Sequence, residues 1–437
     1  MILDFVVFSA VCVLPMLLRR RWDLLPIGVV SAFAFSLAEP FTFRGVRDSN
    51  PIMSWSGFLF LVGGFVYLMY FSAPRGEVRS TRKRVEGSRS VILLIGIILA
   101  AILLRVYVAF THPFLIVDVG GLTEELVDGV LSGVNPYPST LVPYGSGVVF
   151  YYLPFVYFFK SSVVRGFFES FLVTYLKHYH LGIKVGNMFA EVVVAFVLYR
   201  LGRDVCSDET GLLLSFLYLF HPVFVFEGYV QGTNDFPALM FLLVSLYFVL
   251  NQRFLASALF LGIGTAVKWV PGLVLPFVLY FVWSKGGGRR IIMYVVVFLV
   301  SFTTLFLPLF LLFPSFLSDI TDIGLMGFIE REVYPWEYML SIYRPIIPFF
   351  ELIDVLSLIF PLLFYLAVLG LFLFRRPIHE NTVLCYSGLA VASVFLFSRS
   401  IHRNYYILFL PLLIVSATIS RTRNRKNNER DDSKEST

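Results

Sequence analysis

Asp118 stands where a carboxylate could work as a general base. It follows the apolar run Phe114–Val117 directly and precedes Gly120–Gly121. Partial burial would raise its pKa toward a base's working range, and a glycine pair lets backbone approach a ligand closely. A simple turn aspartate explains the same residue without chemistry. The segment continues through Glu124, Glu125 and Asp128 to Gly133-Val134-Asn135-Pro136-Tyr137, then to Tyr144 and Tyr151. Within it, Thr123–Leu131 (TEELVDGVL) reads as a short helix. Thr123 is its expected cap, and Glu124 and Glu125 suit the positive end of a helix dipole.

Three further groups carry polar chemistry. Glu227-Gly228-Tyr229-Val230-Gln231-Gly232-Thr233-Asn234-Asp235 gathers amides, carboxylates and two glycines between apolar runs. Such a group can hydrogen-bond several hydroxyls of a sugar. It can equally be a capped turn in which Asn234 or Asp235 starts the helix at Pro237. Lys268 stands alone in Gly262–Pro276 beside Trp269. It reads either as a snorkelling anchor with an interfacial Trp or as a cation for a lipid phosphate. Arg399, His402 and Arg403 crowd together just before Tyr405-Tyr406. On the outer side of a membrane two Arg residues call for an anionic partner, and a phosphate is the obvious one.

The elements that must position these residues are membrane helices. Hydrophobic residues make up 58% of the 437 residues and charged ones only 15%, where a soluble domain carries about a quarter. The apolar residues come in runs of spanning length: Ile291–Phe313 without a break, and Val91–Phe110 with Arg105 as its one interruption. A bilayer core takes about 20 such residues, and backbone in lipid must satisfy itself as helix. The expected fold is therefore an all-α polytopic membrane protein with polar loops on the outer face. The net charge of +6 reads as a set of topology determinants rather than as a nucleic-acid surface. Cys12, Cys206 and Cys385 lie far apart, so no disulfide framework or metal site is expected. Met1–Leu18 lacks a basic start and an A-x-A site and reads as a retained span.

Lys and Arg cluster at 19–21, 75–89, 200–203, 253, 285–290, 375–376 and after 421, and the positive-inside rule assigns these gaps to the cytoplasm. The outer gaps are then 39–55, 111–184, 227–235, 268–271, 314–343 and 398–404, although Arg44 and Arg47 count against the first. Thirteen spans satisfy the pattern: 3–18, 24–38, 56–73, 91–110, 184–200, 211–226, 237–250, 254–267, 271–284, 291–313, 352–374, 382–398 and 404–420. Val148–Phe159 is too short to cross, contains Pro154 and reads as an interfacial or re-entrant outer helix. Val164–His180 is expected along the outer surface. Residues 1–90 form an N-terminal block of three spans and a basic loop, 91–420 a core, and 421–437 a charged tail expected to be disordered.

The motifs occur in a recognisable order. An acid after an early span leads to Gly133-x-Asn135-Pro136-Tyr137 and a Tyr-containing short helix. A span ending in Arg200 and Arg203 follows, then His221-Pro222, the Gln231/Asn234/Asp235 loop, Gly262 with Lys268, Pro271 and Pro276, and His402 near Tyr405-Tyr406. The chain resembles the GT-C glycosyltransferases over about residues 91–420, and more closely their mannosyltransferase-like branch that includes the catalytic subunit of the first GPI mannosyltransferase. That resemblance implies a sugar donor on a polyprenyl phosphate such as dolichol phosphate, inverting transfer to a glycan or lipid-linked acceptor, and an acidic base in the first outer loop. The base role maps onto Asp118, with Glu124 or Glu125 as alternatives. The family's paired Asp-x-Asp is broken here by Gly120. The substrate-binding candidates are Glu124, Tyr137, Tyr144, Gln231, Asn234, Asp235, Lys268, Arg399, His402 and Arg403. No cofactor is expected, and a divalent metal is left open. The bilayer is a partner and nucleic acid is not; the location is a prokaryotic plasma membrane or the ER membrane.

A transporter or flippase of a lipid-linked sugar is the competing reading, and a glycan polymerase a third. A transporter favours mid-membrane carboxylates and two related halves, whereas most acids here sit near the surfaces and no halves are visible. The charge pattern yields a direct prediction. A protease site introduced after Ser433 should be cut only from the cytoplasmic side of sealed vesicles. Cutting from the outer side would overturn the span parity.

Overall fold

In the computed structural model the described residues are 10–11, 13–16, 24–34, 63–68, 70, 88–111, 118–137, 145–161, 180–315, 318, 350–374, 380–396 and 405–435. Among them there is no strand. The helices are α1 (Leu25–Ala34), α2 (Ser88–Thr111), α3 (Asp118–Leu131), α4 (Ser146–Lys160), α5 (Leu181–Val205), α6 (Asp208–Leu219), α7 (Pro222–Gln231), α8 (Asp235–Leu250), α9 (Phe254–Val267), α10 (Leu275–Leu312), α11 (Phe350–Phe374), α12 (Glu380–Leu396) and α13 (Tyr406–Glu435). The spans expected at 3–18 and 56–73 and the stretch 164–179 lie largely outside the described residues.

Among the described residues three segments are long and apolar enough to cross a membrane: Arg89–Ala109, Leu181–Val205 and Val270–Leu312, with α6 and α7 together as a fourth, bent candidate. Six shorter apolar helices accompany them. Their outward faces are greasy: Ile92 is 66% exposed, Leu103 70% and Leu311 68%, as lipid-facing positions should be. Val270–Leu312 has 43 residues and, straight, would run roughly 65 Å against a ~30 Å hydrocarbon core. It is not straight. Gly287 takes φ 70°, ψ 179° in the Gly286–Gly288 run, a conformation that glycine tolerates. The break falls between the spans expected at 271–284 and 291–313.

The chain divides into two compact units. One comprises Met1–Ile98, Ala195–Phe224 and Glu332–Thr437; the other comprises Leu99–Val194 and Val225–Arg331. In the first, α12 packs on α13. Asn381 joins them, accepting from Ser416 Oγ at 3.0 Å and donating to Ser420 Oγ at 2.6 Å. The backbones of α5 and α6 approach at Gly202 and Gly211, and Ser207 caps α6 by accepting from the Thr210 amide at 3.2 Å. His221 is fully buried, its Nδ1 accepting from the Val223 amide. Helix α13 runs on to Glu435 where the composition led us to expect an unstructured tail. Lys, Arg, Asn and Glu there are tolerated in a helix that the preceding apolar turns have already nucleated.

In the second unit, α8, α9 and α10 pack through small residues, as helices do when lipid offers no hydrophobic incentive to associate. Ser245 Oγ donates to the Ser257 carbonyl at 2.9 Å, and the Ser257 hydroxyl meets Tyr294 Oη at 3.0 Å. Helix α4 is seated on α9 by Gly145 and Gly147; a Cβ at Gly147 would lie 2.6 Å from the Ala266 carbonyl carbon. At 15 residues, α4 is shorter than a crossing requires.

Candidate functional site

The polar centre of the second unit begins with two charges inside apolar helices. Arg105 of α2 is 1% exposed and Glu191 of α5 is 0% exposed. Either alone would be costly in a bilayer. They form a two-pronged pair: Arg105 Nε donates to Glu191 Oε2 at 2.8 Å and Nη2 to Oε1 at 2.6 Å. The Arg105 Nη1 donates to the Ala101 carbonyl at 3.3 Å. Tyr229 of α7 donates its hydroxyl to Glu191 Oε2, and its ring lies 5.4 Å from the Arg105 guanidinium carbon, a cation–π contact.

One turn earlier on the same face of α5 sits Asn187, also fully buried. Its Oδ1 accepts from Tyr152 Oη of α4 at 2.5 Å. Its Nδ2 donates to the carbonyls of Thr233 at 2.8 Å and Gly228 at 3.4 Å. Glu191 and Asn187, four residues apart and hence on one face, thus hold the end of α7 from side chain and backbone. That end, Glu227–Gln231, is a π-helical turn closed by Gly232 at φ 69°. Single π turns recur at functional sites. The expected loop from Glu227 is accordingly shorter, because helix persists to Gln231.

Helix α3 docks on this turn. A Cβ at Gly120 would lie 2.9 Å from the Gly232 carbonyl oxygen, so the first glycine of the pair serves a close approach between two parts of the chain. Asn234 Nδ2 donates to Thr123 Oγ1 at 3.0 Å, and both residues are buried. Thr123 is therefore not the cap expected of it. The helix starts five residues earlier, at Asp118, because Gly120 and Gly121 are helical. Asn234 stands at the N-cap position of α8 but makes no capping bond; its amide is spent on Thr123. Asp235, in the first turn, binds Lys268 Nζ at 2.5 Å. Lys268 is 9% exposed, so it neither snorkels nor stands as an open cation.

An ionic cluster lies along α3. Glu124 receives His180 Nδ1 and Lys160, the latter at 3.3 Å, and Lys160 also binds Asp128. Burial raises the Glu124 carboxyl, but the hydrogen bonds and charges of His180 and Lys160 outweigh it and hold its pKa below 4.5. Gly133-Val134-Asn135-Pro136-Tyr137 stops the helix. Gly133 takes φ 71°, the Val134 amide returns to the Gly129 carbonyl at 2.8 Å, and the Gly133 amide returns to the Val130 carbonyl at 3.1 Å, a Schellman arrangement. Burial raises the phenol of Tyr137.

The structure thus gathers α3 with Glu124, and Tyr137, Gln231, Asn234, Asp235 and Lys268, into one unit, with Asp118 as the first residue of α3. The side chain of Asp118 lies outside the described residues, as do Tyr144, Arg399, His402 and Arg403. The sequence reading missed Arg105, Asn187, Glu191 and Tyr152. A signal for the first three was present: ionisable or amide groups deep in apolar spans mark functional or positioning residues, yet Arg105 passed as a mere interruption.

A family model described as dolichyl-phosphate-mannose-protein mannosyltransferase matches residues 165–313. The matched segment contains Asn187, Glu191, the 231–235 turn and Lys268, and stops short of Arg105 and Asp118. It supports the GT-C class and a mannosyltransferase-like glycosyltransferase. No curated protein and no solved structure matches the chain.

Two predictions arise from these bonds. Removing one partner of a buried ion pair strands the other charge, so Glu191→Gln and Arg105→Gln should each lose about 3–5 kcal/mol. The double replacement Arg105→Met with Glu191→Met should lose clearly less than their sum. Equilibrium unfolding in mixed micelles measures both, and additive losses would show that the pair is not coupled. For Glu124, a carboxyl lowered by folding adds stability that is complete above its unfolded pKa and disappears as pH falls through the folded value. The thermal midpoint of the wild type should therefore drop more steeply below pH 4.5 than that of Glu124→Gln; parallel curves would remove Glu124 from the acid transition.

Proposed function

We propose that the chain is an inverting membrane glycosyltransferase that takes a sugar from a polyprenyl-phosphate donor and places it on a glycan or lipid-linked acceptor at the outer face. The observation that carries this reading is the docking of α3, headed by Asp118, onto the Gly232–Asn234 turn inside the matched segment. It supports one site built from the first outer loop and the amide-rich turn.

Asp118 begins α3, where the helix dipole favours an ionised carboxylate. It takes the proton of the acceptor hydroxyl. The hydroxyl oxygen attacks the anomeric carbon from the face opposite the phosphate, the bond from that carbon to the phosphate oxygen breaks, and the electron pair leaves with polyprenyl phosphate. One carboxylate suffices because phosphate is a good leaving group when cations meet it. Arg399, His402 and Arg403 are the candidates for that task. Lys268 is a weaker one, since Asp235 already neutralises it.

A flippase of lipid-linked sugars is favoured by one observation, the charged pair Arg105–Glu191 inside spanning helices. These charges compensate each other, which suits a fixed scaffold better than a carrier that must exchange partners. Release of free polyprenyl phosphate from a polyprenyl-phosphate sugar separates the two readings, because a flippase leaves the donor intact.

General-base catalysis contributes roughly 100- to 10,000-fold. Asp118→Asn should lower turnover at saturating donor by about that factor and leave donor binding near wild type, while Glu124→Gln and Glu125→Gln should be milder. Wild-type turnover in Asp118→Asn with a dead Glu124→Gln or Glu125→Gln would move the base along α3. Full activity in all three would remove the main support for the glycosyltransferase reading.

A further inference from the structure

The turn after α7 holds buried oxygens that the protein itself does not use. Thr233 and Asn234 are each 1% exposed. Thr233 Oγ1, Asn234 Oδ1 and the neighbouring Gln231 Oε1 have no hydrogen-bond partner among the described residues. Leaving such an atom buried and unpaired costs stability; three within four consecutive residues is a concentration that folding alone does not reward. Several surrounding groups are committed elsewhere. Asn187 holds the Thr233 carbonyl, the other end of the Asn234 amide holds Thr123, and Asp235 holds Lys268. The turn is also fixed in shape, because its backbone is pinned by Asn187 and by the Thr233 amide, which donates to the Glu227 carbonyl at 3.0 Å.

The chemistry of this set is weighted toward acceptors. Two amide carbonyl oxygens accept hydrogen bonds, and the Thr233 hydroxyl can accept or donate one. A phosphate would bring further acceptors, and the ammonium nearest in the chain's bonding, Lys268, is already neutralised by Asp235. A neutral molecule dense in O–H donors fits instead. We propose that Gln231, Thr233 and Asn234 form a sugar-hydroxyl subsite that reads the ring of the transferred or accepting sugar and takes no part in holding the phosphate. This deepens the glycosyltransferase reading and rests on it only for the identity of the bound lipid.

The test is binding to the purified full-length protein, with three probes: mannosyl and glucosyl polyprenyl phosphates, polyprenyl phosphate without sugar, and short alkyl mannosides and glucosides without phosphate. Thr233→Val and Gln231→Met remove an acceptor while keeping volume and sparing every bond described above. A neutral hydrogen bond contributes a factor of roughly 2–12, so each variant should bind a sugar-bearing probe about fivefold more weakly and bare polyprenyl phosphate as the wild type does. Loss confined to the phosphate-linked sugars identifies the donor's ring; loss confined to the alkyl glycosides identifies the acceptor's. Equal weakening of bare polyprenyl phosphate, unchanged binding of every sugar, or failure of the wild type to bind any sugar-bearing probe overturns the subsite. If the variants lose sugar binding as expected but the wild type releases no polyprenyl phosphate from any donor, the subsite stands and the transferase reading falls.

Discussion

A charged pair in a place without water sets the terms for the second unit. Arg105 and Glu191 sit in apolar turns of their helices, and each is the other's ion-pair partner. The guanidinium meets the carboxylate with two parallel donors, a geometry that arginine provides and lysine does not. Since the pair is buried to about 1% exposure on each side, α2 and α5 are held in register by a bond that cannot slip by a turn without stranding both charges. Burying such a pair is not by itself a gain in stability. What it confers here is a fixed arrangement, and Tyr229 extends that arrangement to α7.

Asn187 completes the transfer of that order to the candidate site. Its amide is fully used: one acceptor takes Tyr152 and two donors take backbone carbonyls on either side of Gly232. A side chain with every hydrogen bond satisfied in a dry environment is rigid, because losing any one bond leaves a buried polar group exposed to nothing. The π turn at Glu227–Gln231 and the left-handed Gly232 are therefore shaped from two directions, by Tyr229 through Glu191 and by the carbonyls through Asn187. Helix α3 then finds a preformed surface, and Gly120 fits it because a larger residue would strike the Gly232 carbonyl.

The ion pairs of this unit divide into two groups by environment. Deep in the unit, Arg105–Glu191 and Lys268–Asp235 are closed pairs whose role is to hold helices. Along α3, Glu124, His180, Lys160 and Asp128 form a partly exposed cluster in which water screens each contact. This division explains why charge alone does not mark the site. The uncommitted oxygens of Gln231, Thr233 and Asn234 belong to neutral residues, and the Asp235–Lys268 pair beside them is already balanced.

The amino-acid sequence by itself determined the class of the molecule and much of its local structure. Long apolar runs can only be helices in lipid, so the helical fold was legible, as were the break at Gly286–Gly288 and the stop at Gly133. These features depend on neighbours along the chain. The Gly133-x-Asn135-Pro136-Tyr137 order was legible for the same reason, as was a polar break between 227 and 235, though not that helix persists through its first half to Gln231. Partners were not. Arg105 and Glu191 are 86 residues apart and Asn234 and Thr123 are 111 apart; even Asp235 and Lys268 are separated by 33. Which spans adjoin is decided by packing of faces that hydropathy, uniformly high all round a membrane helix, does not distinguish. For that reason the sequence reading gave Thr123 to a cap, left Lys268 open between a snorkelling anchor and a phosphate cation, and gave Arg105 to nothing, and only the tertiary structure gave each of them its partner.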